Sequence, residues 1–428
     1  MFAERIRRAS LAVLAVLLAP GLNPPSPAAP PLEGVQPFGP TAWETAAGEP
    51  QPQLQPAPGN PPYVTVVNNG PSSNRVDVVV LGDGYTSSQI ETAFAQHVSD
   101  LATTMLGQSQ EPFARYSNFF NVHRVNVVSN QSGADVPPLG IYRDTALDST
   151  YYWDGATERL LYCNTSKAQS ALNAGLAGSG IAADIRLVTV NDSRYGGAGG
   201  TWAVYAGANS SATEIALHEQ GHSFGGLADE YAYTTQTWPG GEPGQPNVTA
   251  SSSGSKWSRW LGYYESGVGT IGAYEGAMYY TNGLYRPSDN SKMRALGTPF
   301  DTVGREQLIL RMYSYVRPLD GWFNGALTDP ASLWVDAVDA TITHVDWYVD
   351  GDLVAGNGGE SFRLQDHGFG VGQYSVQAHA YDATGWVRLT SNLPGQDVAW
   401  SVTLTPEPGM LALLALGGLA LMRRRRRV

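Results

Sequence analysis

Two of the seven histidines, His218 and His222, lie four residues apart in the segment HEQGH, a spacing that places them on one face if the segment is a helix. The preceding residues, 212–217, contain no helix breaker, so the sequence predicts one helix through both histidines. Residues four apart share a helix face, which lets both imidazoles reach one Zn2+ ion. Glu219 would then point toward a water on the metal and take its proton as general base.

A zinc site with an open position needs a third protein ligand. Gly225 and Gly226 should end the helix and turn the chain back, which would return a carboxylate to the metal. Asp229 is the first choice for this ligand and Glu230 is the alternative. Two histidines at this spacing also occur by chance, so the competing interpretation is a pair on a solvated helix face.

Composition excludes several classes of protein. The chain has 428 residues and a formal net charge of −12, which makes nucleic acid an unexpected partner. Its 49 glycines and 28 prolines argue for a loop-rich protein and against a helical bundle. The single cysteine, Cys163, cannot form an internal disulfide and has no evident histidine partner, which disfavours a cysteine peptidase.

The N-terminus has the features of an export signal, predicted over residues 1–29. Three arginines, Arg5, Arg7 and Arg8, precede a short apolar stretch at 11–19, and small residues around Ala28 offer a cleavage site. Residues 30–62 are rich in proline, alanine and glutamine, which predicts an extended spacer.

The C-terminal segment, residues 405–428, combines a Pro-Glu-Pro motif, an apolar run at 410–422 and five arginines at 423–427. As a helix the apolar run reaches ~20 Å, short of the ~30 Å hydrocarbon core of a membrane. The whole arrangement resembles the PEP-CTERM sorting signal of Gram-negative bacteria, which implies membrane contact through this segment and processing by an exosortase. A plain tail anchor is the alternative. In both cases the arginines are expected on the cytoplasmic side.

Between these ends the sequence predicts two domains. Apolar runs at 76–81, 122–128 and 185–190 indicate buried strands, and helices are expected after a capping pair at Ser88 and Glu91, at 166–176 and at 301–313. This alternation favours an α/β domain over residues 63–318. Residues 319–404 alternate apolar and polar at short intervals, with a hairpin turn at Asp350-Gly351, which predicts a small antiparallel sandwich.

The segment HEQGHSFGGLADEY at 218–231 resembles the metal site of the bacterial IgA-peptidase-type zinc metallopeptidases. Further blocks on both sides of this segment occur in the family order and extend the resemblance over roughly residues 75–315. They are VVLGDGYT at 79–86, FFNV at 119–122, SGAD at 132–135, YGG at 195–197, PNVT at 246–249, YEGA at 274–277, YRP at 285–287 and SKMR at 291–294. The resemblance implies a zincin-like α/β metallopeptidase domain, followed here by the small all-β sandwich, which we expect to be immunoglobulin-like. It also implies zinc-dependent endopeptidase activity.

Other residues near this motif have two interpretations each. Metzincins carry a histidine six residues after the second motif histidine, and Ala228 stands there, so a strict metzincin site is absent. Tyr231 or Tyr285 is a candidate donor to the oxyanion or substrate. Residues 200–206 suit either an edge strand that pairs with a peptide or an ordinary sheet strand. Met293 suits an apolar turn below the metal or the core.

Taken together, the sequence predicts an exported zinc endopeptidase that hydrolyses extracellular or surface proteins through a zinc-activated water. Its expected location is the cell surface, outer envelope or extracellular matrix of a Gram-negative bacterium. The alternative is a non-catalytic surface or biofilm-matrix protein with a structural or vestigial metal site. An intact Glu219 favours the enzyme, because a structural site needs no base.

Overall fold

The computed structural model describes residues 61–107 and 109–406 of the chain. The predicted signal at 1–29, the spacer up to residue 60, and the apolar run and arginines at 410–427 lie outside these residues. Within the described part, no helix has both the length and the apolar character needed to cross a bilayer.

A six-stranded mixed sheet organises the first part of the chain, in the order β1-β3-β2-β4-β6-β5. Strands β2, β3, β4 and β6 run parallel, and β1 and β5 pair antiparallel at the two edges. Buried parallel strands read as continuous apolar runs, which is why β2 and β4 were predictable. The strands are β1 Tyr63–Val67, β2 Val76–Asp83, β3 Phe120–Val125, β4 Ile185–Val190, β5 Gly197–Ala198 and β6 Ala203–Ala206.

Four α-helices accompany this sheet: α1 Ala95–Met105, α2 Thr165–Gly175, α3 Ala212–Ser223 and α4 Thr302–Met312. Helices α1, α3 and α4 pack with Val76, Val78 and Val80 in one apolar cluster. Helix α2 packs with Val79 and Leu81 in a second cluster. Because successive strand residues point to opposite faces, β2 is covered by helices on both sides. The predicted α/β alternation is therefore present.

Short strands follow α3 and hold the chain that returns to it. A three-stranded sheet in the order β10-β11-β7 pairs β7 parallel and β10 antiparallel to β11, and a separate two-stranded ribbon joins β8 and β9. Their bounds are β7 Ala232–Thr237, β8 Tyr264–Glu265, β9 Gly269–Thr270, β10 Tyr274–Ala277 and β11 Tyr279–Arg286.

Residues 319–404 form two antiparallel sheets, of orders β12-β13-β16 and β15-β14-β17-β18, around a shared apolar core. At its centre Trp347 stacks on Phe362 and on Trp400, with ring centroids 5.0 and 5.7 Å apart. Asp350 and Gly351 both have positive φ, as the predicted two-residue hairpin requires. The strands are β12 Leu319–Trp322, β13 Leu333–Ala337, β14 Thr343–Val349, β15 Asp352–Ala355, β16 Ser361–Phe362, β17 Gly372–Asp382 and β18 Gln396–Leu404.

The two parts of the chain share apolar and polar contacts. Val338, Ile342 and Val387 belong to the same apolar cluster as α1, α3 and α4. The buried Glu306 of α4 accepts hydrogen bonds from the backbone N–H groups of Arg388 (2.7 Å) and Leu389 (3.0 Å). The segment between β17 and β18 therefore completes the core below the helices.

Two local expectations differ from the structure. Residues 200–206 do not supply the edge of the sheet, because β5 pairs outside β6 and the edge is Gly197–Ala198. The capping box before α1 is made by Thr86 and Gln89 rather than by Ser88 and Glu91, and a π-helical turn at Ile90–Phe94 precedes the α-helix. The second difference arises where two short polar side chains, Thr86 and Ser88, lie in the same turn and can each cap it.

Candidate metal centre

Helix α3 carries the two histidines, and its end is shaped by glycine. Gly226 adopts φ +65°, and its N–H donates to the carbonyl of His222 at 3.0 Å. Leu227 N–H then donates to Gly221 O at 2.9 Å, which satisfies a carbonyl that the helix leaves open. This turn reverses the chain and brings residue 229 back to the histidine face, as the sequence predicted.

Backbone carbonyls orient both imidazoles. His218 Nδ1 lies 2.9 Å from Lys292 O, and His222 Nδ1 lies 2.8 Å from Leu227 O. A carbonyl only accepts, so each Nδ1 carries the proton and each neutral ring presents a lone pair on Nε2. The two Nε2 atoms face each other at 3.2 Å. This is the tautomer and orientation that metal-binding histidines adopt.

Asp229 completes a triangle with these nitrogens. Its Oδ1 lies 3.2 Å from the Nε2 of His218 and 3.2 Å from the Nε2 of His222. Zinc bonds of about 2.0–2.1 Å in a tetrahedral arrangement separate ligand atoms by about 3.3 Å, so the triangle has the size of a zinc site. Asp229 Oδ1 is also a buried oxygen without a hydrogen-bond donor. Three lone-pair atoms facing one point fit a cation, and two imidazoles with a carboxylate suit zinc.

The charges of Asp229 and His222 shift each other's pKa values. Burial alone would raise the pKa of Asp229, but the histidine pair lowers it well below its usual range. Burial alone would lower the pKa of His222, but the adjacent carboxylate of Asp229 raises it to about 9. A buried carboxylate beside two imidazoles thus attracts positive charge, which either a proton or a metal supplies.

Glu219 lies beside the triangle and is buried. Its carboxylate is within 4.8 Å of the histidine ligand nitrogens, whereas Asp229 Oδ1 lies 3.2 Å from both, so Asp229 fits the ligand position and Glu219 the position of a nearby base. Burial raises the pKa of its carboxyl above the usual range. A carboxylate with a raised pKa is a better proton acceptor near neutral pH.

The glycine loop at 196–200 closes over this carboxylate. A Cβ on Gly199 would lie 2.9 Å from Glu219 Oε2 and 2.8 Å from the Cβ of His222. A Cβ on Gly197 would lie 3.1 Å from Glu219 Oε1. Glycine at these positions lets the edge strand β5 approach the centre, which a side chain would prevent.

A cavity of about 300 Å³ opens beside the centre. His218, Glu219 and Tyr231 line it together with cationic, aromatic and aliphatic residues: Arg159, Tyr195, Gly197, Ile215, Tyr233, Arg294, Ala295 and Leu296. Tyr231 stacks on Tyr233 with ring centroids 4.9 Å apart, and Tyr279 donates to Asp229 Oδ2 at 2.7 Å. Burial and the charge of Asp229 raise the pKa of Tyr231, so its hydroxyl stays a donor.

The other predicted site residues lie elsewhere. Glu230 is buried but points away, where its Oε1 accepts from Asn247 at 2.8 Å. Tyr285 does not line the cavity, because it lies six residues along β11 from Tyr279, or ~20 Å in an extended strand. Its carbonyl bonds Thr249 instead. The structure therefore brings Asp229 and Tyr231 to the histidines, and leaves Glu230 and Tyr285 outside.

The segment 291–294 supports the centre from below. Met293 is buried and packs against Gly221 of α3, and its carbonyl accepts the N–H of Glu230 at 2.8 Å. The neighbouring carbonyl of Lys292 holds His218. Met293 therefore forms an apolar turn below the metal centre, one of the two roles that its position in the sequence suggested.

Three residues of this site were missed. Asn247, fully buried, accepts from Ala228 N–H at 2.8 Å and donates to Ala228 O at 2.9 Å, which fixes the turn next to Asp229. Tyr279 adopts φ +72°, a conformation that sequence gives no reason to expect. Arg159 lies in the long connection between β3 and α2. Asn247 belongs to PNVT at 246–249, one of the blocks that resemble the peptidase family. That resemblance was the only feature of the sequence that pointed to it.

The chain is similar to one known protein family over the part that contains this geometry. Residues 64–267 match the model of the IgA peptidase M64 family. The match covers just under half of the chain and includes both histidines, Glu219 and Asp229, and it indicates a metallopeptidase domain. It ends before Tyr279 and Lys292, which support the centre from later segments. No curated protein matched the chain in a second search.

Proposed function

We propose that the chain is an exported zinc-dependent endopeptidase, with His218, His222 and Asp229 as the metal ligands. The observation that carries the proposal is the triangle of two Nε2 atoms and one Oδ1 atom, each 3.2 Å from the others. A buried glutamate beside it supports a catalytic centre over the non-catalytic surface protein, since a structural site needs no base.

Bound Zn2+ would supply Lewis-acid activation of a water and of the scissile carbonyl. Glu219 takes the proton from the attacking water and delivers it to the leaving amine, so one carboxylate serves as base and then as acid. Tyr231 is the proposed donor of a hydrogen bond to the oxyanion, because this residue lines the same cavity and its hydroxyl remains protonated. Tyr279 holds Asp229 in place and leaves Oδ1 for the metal.

The peptide substrate is proposed to lie along β5. This strand is the outer strand of the six-stranded sheet on the side of α3, and its Gly197 lines the cavity. The N–H of Gly197 already donates to the carbonyl of Arg159, so an extended peptide would pair with the other backbone groups of this outer edge. The glycines at 197 and 199 keep that edge open next to Glu219.

The finer features of fold and location are also proposals. A zincin-like fold is supported by a helix carrying the histidine pair below an edge strand. The two antiparallel sheets at 319–404 support an immunoglobulin-like sandwich. Export to the cell surface and exosortase processing rest on the sequences of the two termini. If the tail is a sorting signal, intact-mass analysis of surface-extracted protein should find no arginines from 423–427; their retention would indicate a plain anchor.

Metal content and proteolysis test the proposal together. Purified protein should contain zinc and cleave casein, lose cleavage with a chelator, and regain it when zinc is added back. Cleavage that survives complete metal removal would overturn the zinc mechanism. Full zinc occupancy without cleavage of casein or gelatin would favour the non-catalytic surface protein.

A further inference from the structure

The cavity beside the metal centre contains two guanidinium groups, and they differ in what they contact. Arg294 lies 3.4 Å from Asp289 Oδ1 and also donates to the Asp289 carbonyl. Arg159 makes no direct ion pair with a carboxylate of the described residues, and its guanidinium instead contacts the hydroxyls of Tyr231 and Tyr233, the latter at 3.3 Å from Nη2. The cavity thus holds one guanidinium that no carboxylate of the described residues contacts directly, although its charge acts on the nearby Glu219.

The backbone of Arg159 is fixed against the edge strand. Its carbonyl accepts from Gly197 N–H at 3.1 Å and from Leu161 N–H at 2.9 Å. A Cβ on Gly196 would lie 2.9 Å from the same carbonyl oxygen, so this approach also depends on glycine. The side chain therefore starts from a rigid point next to the strand on which we propose that the substrate lies.

The surroundings of Arg159 favour an anion from outside the chain. The guanidinium is half-buried among tyrosines, where a charge without a carboxylate in direct contact is unfavourable. The chain has 38 acidic residues, yet none of those described pairs with this arginine. Hydrogen bonds to tyrosine hydroxyls leave most of the five N–H donors for a ligand.

We propose that Arg159 binds a carboxylate of the peptide substrate and so makes the enzyme selective for acidic peptides. The proposal rests on the peptidase function argued above. A planar guanidinium recognises a carboxylate through two parallel hydrogen bonds, which a neutral amide cannot reproduce. The carboxylate comes either from an Asp or Glu side chain beside the cleaved bond or from the C-terminus of the peptide.

Cleavage of a library of tryptic peptides, mapped by mass spectrometry, tests the proposal and separates the two sources. Side-chain recognition places Asp or Glu at a fixed position relative to the cleaved bond. Recognition of the terminus places the cleaved bond at a fixed distance from the peptide end. Synthetic pairs, Glu against Gln or acid against amide, should then differ by about 10- to 100-fold in kcat/KM.

The preference should be lost in Arg159→Met and partly retained in Arg159→Lys, which keeps the charge without the planar fork. Arg363→Met is the matched control, because Arg363 is exposed and lies in the C-terminal sheets. A cleavage profile that is identical in wild type and Arg159→Met would overturn the proposal while leaving the peptidase function intact.

If no peptide is cleaved, the peptidase function is refuted. A binding measurement then still tests the anion site. Fluorescence anisotropy compares two pairs of labelled peptides on wild type and on Arg159→Met: Ala-Ala-Glu-Ala-Ala amide with its Gln counterpart, and Ala-Ala-Gln-Ala-Ala acid with its amide. Tighter binding of the carboxylate member of either pair to wild type alone would support the anion site. Equal binding within both pairs would overturn it.

Discussion

Residues 319–404 and the earlier part of the chain differ in where they place polar side chains. In residues 319–404, apolar and polar side chains alternate along the strands, and β14 is buried at every second position. In the earlier part, polar groups are buried together: of the buried polar and charged side chains among the described residues, only Asp339 and Thr343 come after residue 318. Regular alternation is sufficient for a stable sheet, whereas a metal centre requires buried carboxylates, histidines and close glycine contacts.

Glu219→Gln should produce the largest effect on the catalytic side of this comparison. Loss of a general base lowers turnover by about 10²–10⁴-fold, while the amide retains the shape of the side chain and the metal ligands are untouched. Casein hydrolysis and zinc content measure the two effects separately. Glu360→Gln, in the C-terminal sheets, is the control and should retain activity. Wild-type turnover in Glu219→Gln would remove this residue from the mechanism.

Glu306→Ala tests whether the two parts are independent. Its buried carboxylate accepts from Trp260 Nε1 at 2.8 Å, from Arg259 Nε at 2.9 Å and from the backbone at 388 and 389. Removing one partner of a buried, charged network typically costs about 3–5 kcal/mol. Denaturant unfolding should show that loss with both parts destabilised together. Two separate transitions, with only one of them shifted, would mean that the parts fold independently.

Gly199→Ala should affect activity more than stability. The added Cβ would lie 2.9 Å from Glu219 Oε2 and 2.8 Å from His222 Cβ, so the base or the loop must move. Displacements of about 1 Å in a catalytic group can lower rates by up to about 10²-fold. Gly370→Ala is the matched control, because a Cβ there meets nothing within 4 Å. Unchanged kcat/KM in Gly199→Ala would show that the loop is not held against Glu219.

Asp184→Asn should have the smallest effect, and one that depends on pH. Burial, reinforced by the nearby charge of Asp77, raises the pKa of the Asp184 carboxyl to about 7. A raised folded-state pKa means that ionisation opposes folding, so stability falls as pH rises from about 4 to 7. Because Asp184 is only half-buried, we expect a gain of about 1–2 kcal/mol for Asp184→Asn at pH 8 and little change at pH 4.

Thermal unfolding at the two pH values measures this difference, with the exposed Asp397→Asn as control. Asp397 lies on β18 and pairs with His379 at 2.7 Å on the surface of the sheet. Equal shifts for the two variants, or the same shift for Asp184→Asn at both pH values, would contradict the proposed penalty.

The local parts of the site were predictable from the sequence because they depend on neighbours along the chain. Two histidines four apart share a helix face whatever surrounds them, and a double glycine turns the chain back to Asp229. Continuous apolar runs identified β2 and β4, and alternation identified β14 and β17. Each of these patterns depends only on residues that are close together in the sequence.

The remaining parts depend on contacts between distant segments. Asn247, Tyr279 and Arg159 reach the site through a buried turn, a positive φ and a long connection, and none of these leaves a periodic signal. Tyr285 lies outside the cavity because its position along β11, rather than its chemistry, decides what it contacts. The outer strand β5 has only two residues, too few to show a period.

Zinc titration of three proteins tests the central claim most directly. Wild type should bind one zinc ion per chain, and Asp229→Ala should bind it far more weakly, because it loses one of three ligands. Glu230→Gln should retain most of the affinity, since that carboxyl faces Asn247 rather than the histidines. Circular dichroism of the metal-free proteins verifies that each variant is folded. Zinc affinity that is unchanged in folded Asp229→Ala, or lost instead in folded Glu230→Gln, would contradict the metal centre described here.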